Sequence, residues 1–391
     1  MKRTAILVCL MLLAGAAATA QNVRIVFAGD LMGHDPQIKA ARQPDSTHDY
    51  TPCFRYVKDY VQSADLAILN LEVTLAGRPY KGYPQFSSPD TLAACARDAG
   101  FDIMTTANNH CMDRGRKGLL RTLQVLDSFA IPHLGTYRDS AHRDSVHPLM
   151  VEKNGIRLAL LCYTYGTNGI AVPPPLVVNR IDTTAMARDL RVARERGAEF
   201  VITLIHWGIE YATHNNAEQE TTARWLLEHG CDAVIGGHPH VVQNLTLDAI
   251  PENDRYPELV VYSMGNFVSN QRDVNRDGGI MIQLDLERTA PSADTADTLS
   301  PAASRVRVAA CGYLPYWVHR GTVDSLYQYY IVPSADAVAN PGKYQIEGAA
   351  LKALQTFDAN TRQRIGNCET RIKELEYGYK EPAKTEESSP E

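Results

Sequence analysis

The sequence predicts an α/β protein built on a mainly parallel sheet with helices outside it. Short apolar runs of strand length alternate with amphipathic segments of helical length, and polar residues follow the strands at their carboxyl ends. The composition, 45% hydrophobic and 21% charged, is typical of a globular protein that buries a core. In open α/β sheets the functional site lies beyond the carboxyl ends of the strands.

The predicted parallel strands are apolar runs that stop at glycine or at a polar residue. They are Val23–Ala28, Leu66–Leu69, Asp102–Thr106, Leu158–Tyr163, Phe200–Ile205, Ala233–Ile235 and Leu259–Ser263. The predicted helices between them are Pro89–Asp98, Arg116–Phe129, Thr183–Arg196 and Ala217–His229. Because strands alternate with helices of about ten to fifteen residues, the sequence predicts βαβ units.

The later part of the chain has a different pattern. Gly279–Leu286 and Arg305–Ala310 predict a second, more antiparallel sheet, and Gln345–Tyr377 predicts one or two charged helices. We therefore divide the chain into a main domain over 21–335, a C-terminal helical extension over 336–380 and a disordered acidic tail over 381–391.

The first twenty residues predict a secretory signal peptide. Lys2 and Arg3 form a positive start, an apolar segment follows, and Ala18-Thr19-Ala20 is a small-residue cleavage site. The apolar run is shorter than the ~20 residues that a membrane span needs, so an uncleaved anchor is the weaker interpretation. We expect an exported, periplasmic or envelope-associated protein with no transmembrane span in the mature chain.

Charge and cysteine content exclude several function classes. The formal net charge is −6 and there is no long basic run, so we expect no nucleic-acid partner. The cysteines are scattered and show no CxxC spacing, which indicates neither a disulfide scaffold nor a zinc knuckle, although one or two disulfides remain compatible with the sequence.

The stretch Cys231–His240 carries the most specific chemistry in the chain. An apolar strand ends in Gly236 and Gly237, and two imidazoles follow, separated by Pro239. The glycines allow a close backbone approach, and the proline is expected to hold His240 in an extended relation to His238. The alternative is a polar turn whose histidines face water.

Further polar side chains follow other predicted strands, and together they form a candidate metal site. The candidate ligands are Asp30, Glu72, Asn109, His206, His238 and His240. Each has an ordinary structural explanation alone: Asp30 as a turn cap, Glu72 as a solvated residue, His206 as a core histidine. All of these explanations holding at successive strand ends is much less plausible than one shared site.

Carboxylate, amide and imidazole ligands without thiolate suit Mn, Fe or Zn. We expect one or two divalent ions, with Glu72 able to bridge two. Two metals about 3.5–4 Å apart can activate water and stabilise an in-line displacement at phosphorus. His110, next to Asn109, is the predicted general acid.

Six motifs, in order along the chain, resemble the CapA family of poly-γ-glutamate capsule biosynthesis proteins. They are Ala28-Gly29-Asp30-Leu31-Met32, Asn70-Leu71-Glu72, Ala107-Asn108-Asn109-His110 with Asp113-x-Gly115-x-x-Gly118, His206-Trp207-Gly208-x-Glu210-Tyr211, Gly237-His238-Pro239-His240-Val241 with Gln243, and Ser263-Met264-Gly265-Asn266-Phe267. The resemblance covers roughly Arg24 to Gln283 and leaves the C-terminal helices unassigned.

That family is similar to the calcineurin-like metallophosphoesterases, which implies a four-layer α/β/β/α sandwich of the metallo-dependent phosphatase type with a dinuclear site. By this resemblance Asp30 and His240 would bind the first metal, and Glu72 would bridge. The second metal would be bound by Asn109, His206 and His238, and His110 would be the acid.

The chain departs from the phosphoesterase pattern at two positions. The usual Asp-x-His of the first strand is Asp30-x-Met32, and the bridging aspartate is the longer Glu72. The first metal therefore loses an imidazole, so its site is weaker or empty unless His34 replaces that ligand. Glu210, Tyr211 and Gln243 are predicted to contact substrate, because they lie close to the candidate ligands in sequence.

Two functions are compatible with these residues. The first is an exported metal-dependent hydrolase or transferase, acting on an anionic envelope polymer or a phosphoester in capsule biosynthesis. The second is a non-catalytic polymer-binding or capsule-assembly protein that keeps the fold. His110 favours the enzyme, because a binding module has no evident need of an acid there.

Overall fold

A computed structural model describes residues 21–248, 258–289, 306–366 and 371–380 of the chain. The predicted signal peptide and the predicted acidic tail lie outside the described residues. Among the described residues, no helix is both long enough and apolar enough to cross a membrane.

The strands are β1 (Asn22–Leu31), β2 (Leu66–Leu71), β3 (Ile103–Thr105), β4 (His133–Leu134), β5 (Thr136–Tyr137), β6 (Leu149–Lys153), β7 (Ile156–Thr164), β8 (Val177–Val178), β9 (Phe200–His206), β10 (Ala233–Gly237), β11 (Leu245–Asp248), β12 (Glu258–Val261), β13 (Asn266–Val268), β14 (Gly278–Arg288), β15 (Val306–Val323), β16 (Leu326–Pro333) and β17 (Ile372–Glu374). The helices are α1 (Asp35–Ala41), α2 (Thr51–Phe54), α3 (Lys58–Gln62), α4 (Thr91–Asp98), α5 (Gly115–Ser128), α6 (Ser140–Val146), α7 (Thr183–Glu195), α8 (Ala217–Glu228), α9 (Ser334–Ala339) and α10 (Gly348–Ile365), with a 3₁₀ turn at Pro341–Tyr344.

Two sheets carry the fold. Sheet I has the strand order β16-β15-β14-β1-β2-β3-β4, with β13 paired to β1 and β17 paired to β15. Sheet II has the order β11-β12-β10-β9-β7-β6. The neighbours β1, β2, β3 and β4 are parallel, and so are β7, β9, β10 and β12. The predicted parallel strands are therefore present, but they are divided between two sheets.

The two sheets pack face to face, and helices cover their outer faces. Alternate residues of a strand point to opposite faces: Phe27 of β1 packs between the sheets with Ile202 of β9, whereas Val26 faces the cluster that contains Leu92 of α4. On the outer face of sheet II, strand residues pack against α7 and α8. This arrangement confirms the four-layer α/β/β/α sandwich that the resemblance implied.

The prediction of a second antiparallel sheet from the later strands is wrong. Strand β14 pairs antiparallel with β1, from Asn22 opposite Glu287 to Phe27 opposite Ile282. Strands β15 and β16 then extend the same sheet. The alternation along these segments was interpreted correctly as strand, but alternation does not specify which sheet a strand joins.

The C-terminal segment packs onto sheet I. Phe357 and Leu354 of α10 are buried with Trp317 and Tyr330 in one apolar cluster. The helix ends at Ile365, and the segment predicted to continue it to Tyr377 contains the short strand β17, which pairs in parallel with β15. The predicted boundary after residue 335 falls inside α9.

Candidate metal centre

The carboxyl ends of strands from both sheets meet at one place, and the six predicted ligands lie there. Asp30 is at the end of β1, His206 ends β9, and the other four follow the ends of strands: Glu72, Asn109, His238 and His240. All six are buried. Residues that are up to 210 positions apart are thereby brought into contact.

Two overlapping groups of these side chains have the spacing of metal ligands. Glu72, His206 and His238 form one group, and Asp30, Glu72 and His240 form the other. Within each group the potential ligand atoms lie within 4.8 Å of one another. Glu72 belongs to both groups, which is the position that a bridging carboxylate requires.

The orphaned atoms of this cluster fit a bound cation. Nε2 of His206 lies 2.9 Å from Oδ1 of Asn109 and 3.4 Å from Oε1 of Glu72. Within the described structure, neither carboxylate oxygen of Glu72 has a hydrogen-bond partner, and neither does Nδ1 of His238. Because an unpaired buried carboxylate is costly, these atoms indicate that a positively charged ligand belongs between them.

The side of the cluster assigned to the first metal differs from the sequence expectation. Met32, at the position where the pattern has an imidazole, is buried in the apolar cluster on the outer face of sheet I. His34 is in neither ligand group, and its Nδ1 lies 3.0 Å from Oε1 of Gln37. His34 therefore does not replace the missing ligand in this arrangement.

A strained turn aims the two histidines after β10. His238 and His240 have φ angles of +100° and +58°, so both have left-handed backbone conformations rather than the extended relation predicted from Pro239. Such conformations cost about 1–3 kcal/mol each and are concentrated at functional sites. The close approach expected at the glycines is present, since a Cβ atom on Gly237 would lie 2.9 Å from Oδ1 of Asp30.

Burial controls the charges of the cluster. It lowers the pKa of His206 to about 3 and that of His238 to about 2, so both imidazoles are neutral and can donate a lone pair to a metal. Burial, and then the charge of Asp30, raise the pKa of Glu72 well above its usual range. Against burial, Glu72 and Asp30 raise the pKa of His240 to about 9. A cation beside Glu72 would favour its ionised form.

His110 lies at the edge of this cluster and lines an open cavity of about 540 Å³. Its Nδ1 lies 2.7 Å from Oδ2 of Asp113, and its ring packs edge-on against Phe86 with the centroids 4.7 Å apart. Asn109, His238 and Glu210 line the same cavity. A group that enters the cavity therefore meets His110 and the cluster together.

The three predicted substrate contacts have different surroundings. Glu210 lines the cavity and is 43% exposed. Tyr211 is adjacent, with the guanidinium of Arg276 3.5 Å above its ring. Gln243 is fully buried: its Nε2 donates to the carbonyl oxygens of Ala212 and His214. Gln243 thus supports the loop that carries Glu210 and does not line the cavity.

Two further residues shape the centre and had no role in the sequence prediction. Asn70 donates from Nδ2 to Oδ1 of Asp30 at 2.7 Å, and Asp113 holds His110. Both belong to the motifs that carried the resemblance. The spacing of three between His110 and Asp113 is a signal that could have identified the pair. The backbone nitrogen of Asp113 donates to the carbonyl oxygen of His110 at 3.1 Å, so one turn brings the two side chains together.

Comparisons with known proteins agree with the motifs. The profile of the family described as "Bacterial capsule synthesis protein PGA_cap" matches residues 24–271. The chain is 27% identical over 230 residues to "Capsule biosynthesis protein CapA" of Bacillus anthracis, covering 56% of this chain and 54% of that protein. It is 24% identical over 279 residues to "PGA biosynthesis protein CapA" of Bacillus subtilis strain 168, covering 67% of each. The match therefore spans about half of the first relative and two thirds of the second.

Solved structures with a related arrangement share little sequence with this chain. NAD nucleotidase (NadN) of Haemophilus influenzae matches with a TM-score of 0.48 and 13% identity, covering 93% of this chain and 65% of that one. The calcineurin-like phosphoesterase YfkN of Bacillus subtilis matches with a TM-score of 0.44 and 13% identity, covering 88% and 98%.

Proposed function

Because the chain belongs to the bacterial capsule synthesis protein family PGA_cap, we propose that it acts in capsule biosynthesis as a metal-dependent hydrolase or transferase. Its substrate would be an anionic polymer of the cell envelope or a phosphoester. The observation that carries this proposal is Glu72, a fully buried carboxylate without a hydrogen-bond partner among the described residues, surrounded by three imidazoles.

The residues suit one or two divalent ions from Mn, Fe and Zn. Asn109, His206 and His238 would hold one ion with Glu72. Asp30 and His240 would hold the other, again with Glu72. A bound metal of this kind polarises a phosphoryl or carbonyl oxygen and lowers the pKa of water. The neutral imidazoles of His206 and His238 are ready to bind without releasing a proton.

His110 supplies the acid in this proposal. With Nδ1 donating to Asp113, the imidazole is fixed in one orientation at the cavity edge, and Nε2 is left to exchange a proton with the leaving group. Both side chains of this pair are buried, which restricts the ring to that contact. The carboxylate–imidazole pair is thus arranged as in enzymes that move a proton through histidine.

The alternative is a polymer-binding or capsule-assembly protein without catalysis, in which a metal would bridge carboxylates of the polymer. The His110–Asp113 pair favours the enzyme, since bridging requires no proton donor. We also propose, from the N-terminal segment, that the protein is exported to the periplasm or cell envelope. The negative net charge supports our proposal that it has no nucleic-acid partner. The family supports contacts with capsule-assembly proteins. N-terminal sequencing of the protein from the envelope fraction tests the export.

The decisive experiment is elemental analysis after Mn loading and desalting. The parent protein is compared with His238→Ala, and with His229→Ala as a control, because His229 lies at the exposed end of α8. We expect about one or two equivalents in the parent and in the control, and a clear loss in His238→Ala. The same samples are then assayed with an aryl phosphodiester and with γ-glutamyl polymer.

Two equivalents of Mn per chain in the parent would support a dinuclear mechanism, and one equivalent would support a mononuclear enzyme. Metal retention without turnover of either substrate class would favour the bridging alternative. No metal in the parent would contradict the proposal, because the orphaned carboxylate would then need a different partner.

A further inference from the structure

The cavity beside the candidate metal centre has an apolar rim. Six large hydrophobic side chains are exposed in the described part of the chain, and three of them line this one cavity. They are Tyr83, Ile209 and Tyr165, which are 66%, 60% and 41% exposed. Apolar side chains that cluster around a concave surface, instead of being scattered singly, indicate a binding site.

Tyr83 lies on a loop, 81–87, that is fastened to the general acid. Backbone hydrogen bonds of 2.8 and 3.0 Å join the first and last residues of this loop. The backbone nitrogen of Phe86 donates to Oδ2 of Asp113 at 2.7 Å, the same oxygen that contacts Nδ1 of His110. Because its loop is fixed, the exposed ring of Tyr83 offers a contact surface at a low cost in conformational entropy.

Tyr165 and Ile209 are held beside the candidate ligands. The backbone nitrogen of Tyr165 donates to the carbonyl oxygen of His206 at 2.9 Å, and its ring centroid lies 4.5 Å from that of His238. The carbonyl oxygen of Ile209 accepts from the backbone nitrogen of Ala212 at 3.1 Å. The rim is therefore fixed next to the reacting centre, where it would contact the group attached to the reacting phosphorus.

The charges of the cavity oppose a polyanionic occupant. Glu210 and Asp113 line it, and none of the described residues that line it is lysine or arginine. Cations at the ligand cluster would neutralise the one phosphate that reacts. Further carboxylates of a bound chain would meet the carboxylate of Glu210 without a basic side chain to offset it.

Two guanidiniums in neighbouring loops are held in contacts outside the cavity lining. Arg180 donates to the carbonyl oxygen of Tyr165 at 3.0 Å. Arg276 lies 3.5 Å above the ring of Tyr211 and pairs with Asp273 at 2.8 Å. Neither arginine provides the cavity with a site for a second anionic group.

The remaining polar groups of the cavity suit hydroxyl groups. The amides of Gln85 and Asn168 line it, and each offers both donors and acceptors. Oδ1 of Asn168 accepts from Nδ2 of Asn109 at 3.2 Å, which leaves the donors of Asn168 for other partners. Aromatic faces together with neutral amides match a ring that carries hydroxyl groups on its edge and C–H groups on its faces.

We propose that the cavity recognises a neutral sugar ring on the leaving alcohol of a phosphodiester, with Tyr83, Tyr165 and Ile209 as its apolar contact surface. The ring is placed on the leaving side because His110, the proposed acid, lines the same cavity. In the reaction a water oxygen forms a bond to phosphorus, the bond from phosphorus to the sugar oxygen breaks, and that oxygen takes a proton from His110. This assignment rests on the hydrolase proposed above and narrows its substrates to sugar phosphodiesters.

The test compares three methyl phosphodiesters that differ only in the leaving alcohol: a hexose, ethanol, or lactate with its free carboxylate. Each releases methyl phosphate, so the Mn-loaded full-length protein is assayed for one product by chromatography. We expect kcat/KM to be highest for the hexose ester and lowest for the lactate ester.

Tyr83→Ala should lower kcat/KM for the hexose ester about 3–10-fold more than for the ethyl ester, because an aromatic contact to the ring is lost. Tyr327→Ala is the matched control, because Tyr327 is 50% exposed and does not line the cavity. The ratio between the two esters should be that of the parent in this control. A general loss of structure in Tyr83→Ala would lower both esters equally and leave the ratio unchanged.

Preference of the parent for the lactate ester, or equal losses on all three esters in Tyr83→Ala, would overturn the sugar assignment and leave the proposed hydrolase standing. Calorimetric titration of the Mn-loaded protein with a hexose phosphate and with phospholactate requires no turnover. Tighter binding of the hexose phosphate, weakened in Tyr83→Ala, would support the assignment even if no ester is hydrolysed, an outcome that contradicts only the hydrolase. Equal or tighter binding of phospholactate would overturn the assignment.

Discussion

Two of the buried clusters of ionisable side chains in the described part of the chain differ in how completely they are paired. Asp189 of α7 accepts hydrogen bonds from Arg143, His147 and Tyr163, and all four side chains are buried. The metal centre is equally buried, yet Glu72 and Nδ1 of His238 have no hydrogen-bond partner among the described residues.

This difference in hydrogen-bond pairing distinguishes the Asp189 cluster, which has a structural role, from the candidate metal centre, which has the features of a ligand-binding site. Buried polar groups in folded proteins are nearly always paired, so each exception calls for a ligand or a functional cause. The Asp189 cluster is complete within the protein and joins α6 and α7 to β7. The candidate metal centre instead leaves both carboxylate oxygens of Glu72 and Nδ1 of His238 unpaired within the described residues. Burial and charge alone would not distinguish the two.

The largest expected effect concerns His110, which is paired like the Asp189 cluster but lines the cavity. His110→Asn should lower turnover of an aryl phosphodiester by about 10²–10⁴-fold, the contribution of a general acid. Metal content should remain that of the parent, because His110 belongs to neither ligand group. Steady-state kinetics and elemental analysis measure the two quantities. Parent-like turnover would mean that the acid is another residue.

Removing the centre of the complete cluster should reduce stability without touching the metal. Asp189→Ala leaves Arg143 buried without its carboxylate, and breaking such a pair costs about 3–5 kcal/mol in the free energy of unfolding. Denaturant unfolding measures this loss. Asp139→Ala, at the start of the neighbouring α6, is the control for loss of an aspartate that only caps a helix. If Asp189→Ala folds but loses bound metal, the Asp189 cluster contributes to metal binding and this prediction is wrong.

Removing the carboxylate of Glu72 from the candidate metal centre should increase the free energy of unfolding, whereas Asp189→Ala decreases it. In chelator-treated protein at neutral pH, Glu72→Gln should raise the free energy of unfolding by about 1–3 kcal/mol. The raised pKa of Glu72 means that the parent must either keep this carboxyl protonated or bury an unpaired charge, and the amide does neither. With metal present the parent should be more stable than Glu72→Gln, since the cation stabilises only the parent. Denaturant unfolding in chelator and in Mn²⁺ gives both values. A destabilised metal-free variant would show that Glu72 already has a partner.

Sequence reasoning selected candidate ligands that the structure brings together, because each follows an apolar run that is visible locally. Asp30, Glu72 and His206 could be placed at one edge from strand order alone, without any knowledge of side-chain contacts. The resemblance added the division into two sheets. Neither source could place β14 against β1, because alternation specifies the buried face of a strand and not its neighbour.

The remaining features depend on contacts between distant segments that share no motif. The Asp189 cluster joins residues from three elements, and its members have no diagnostic spacing. The role of Gln243 was misjudged for the same reason: sequence proximity to His240 indicated substrate contact, whereas its amide points into the loop of Ala212. The positive φ angles of His238 and His240 were also hidden, since Pro239 restricts only its own φ.

The smallest expected effect is the pH dependence of the two carboxylates, and its sign differs between the clusters. Against burial, the hydrogen bond from His147 and the charges of His147 and Arg143 lower the pKa of Asp189 from 3.8 to about 2. A lowered folded-state pKa stabilises the protein above the unfolded value, and this contribution is lost as the pH falls towards 2. The stability difference between the parent and Asp189→Asn should therefore be constant above about pH 4 and shrink below it.

Glu72 has a raised pKa, so in metal-free protein its contribution to the free energy of unfolding should become unfavourable as the pH rises above 4.5. Unfolding titrations of the parent, Asp189→Asn and Glu72→Gln in chelator would show two opposite slopes, and equal slopes would mean that the two clusters are not different in kind.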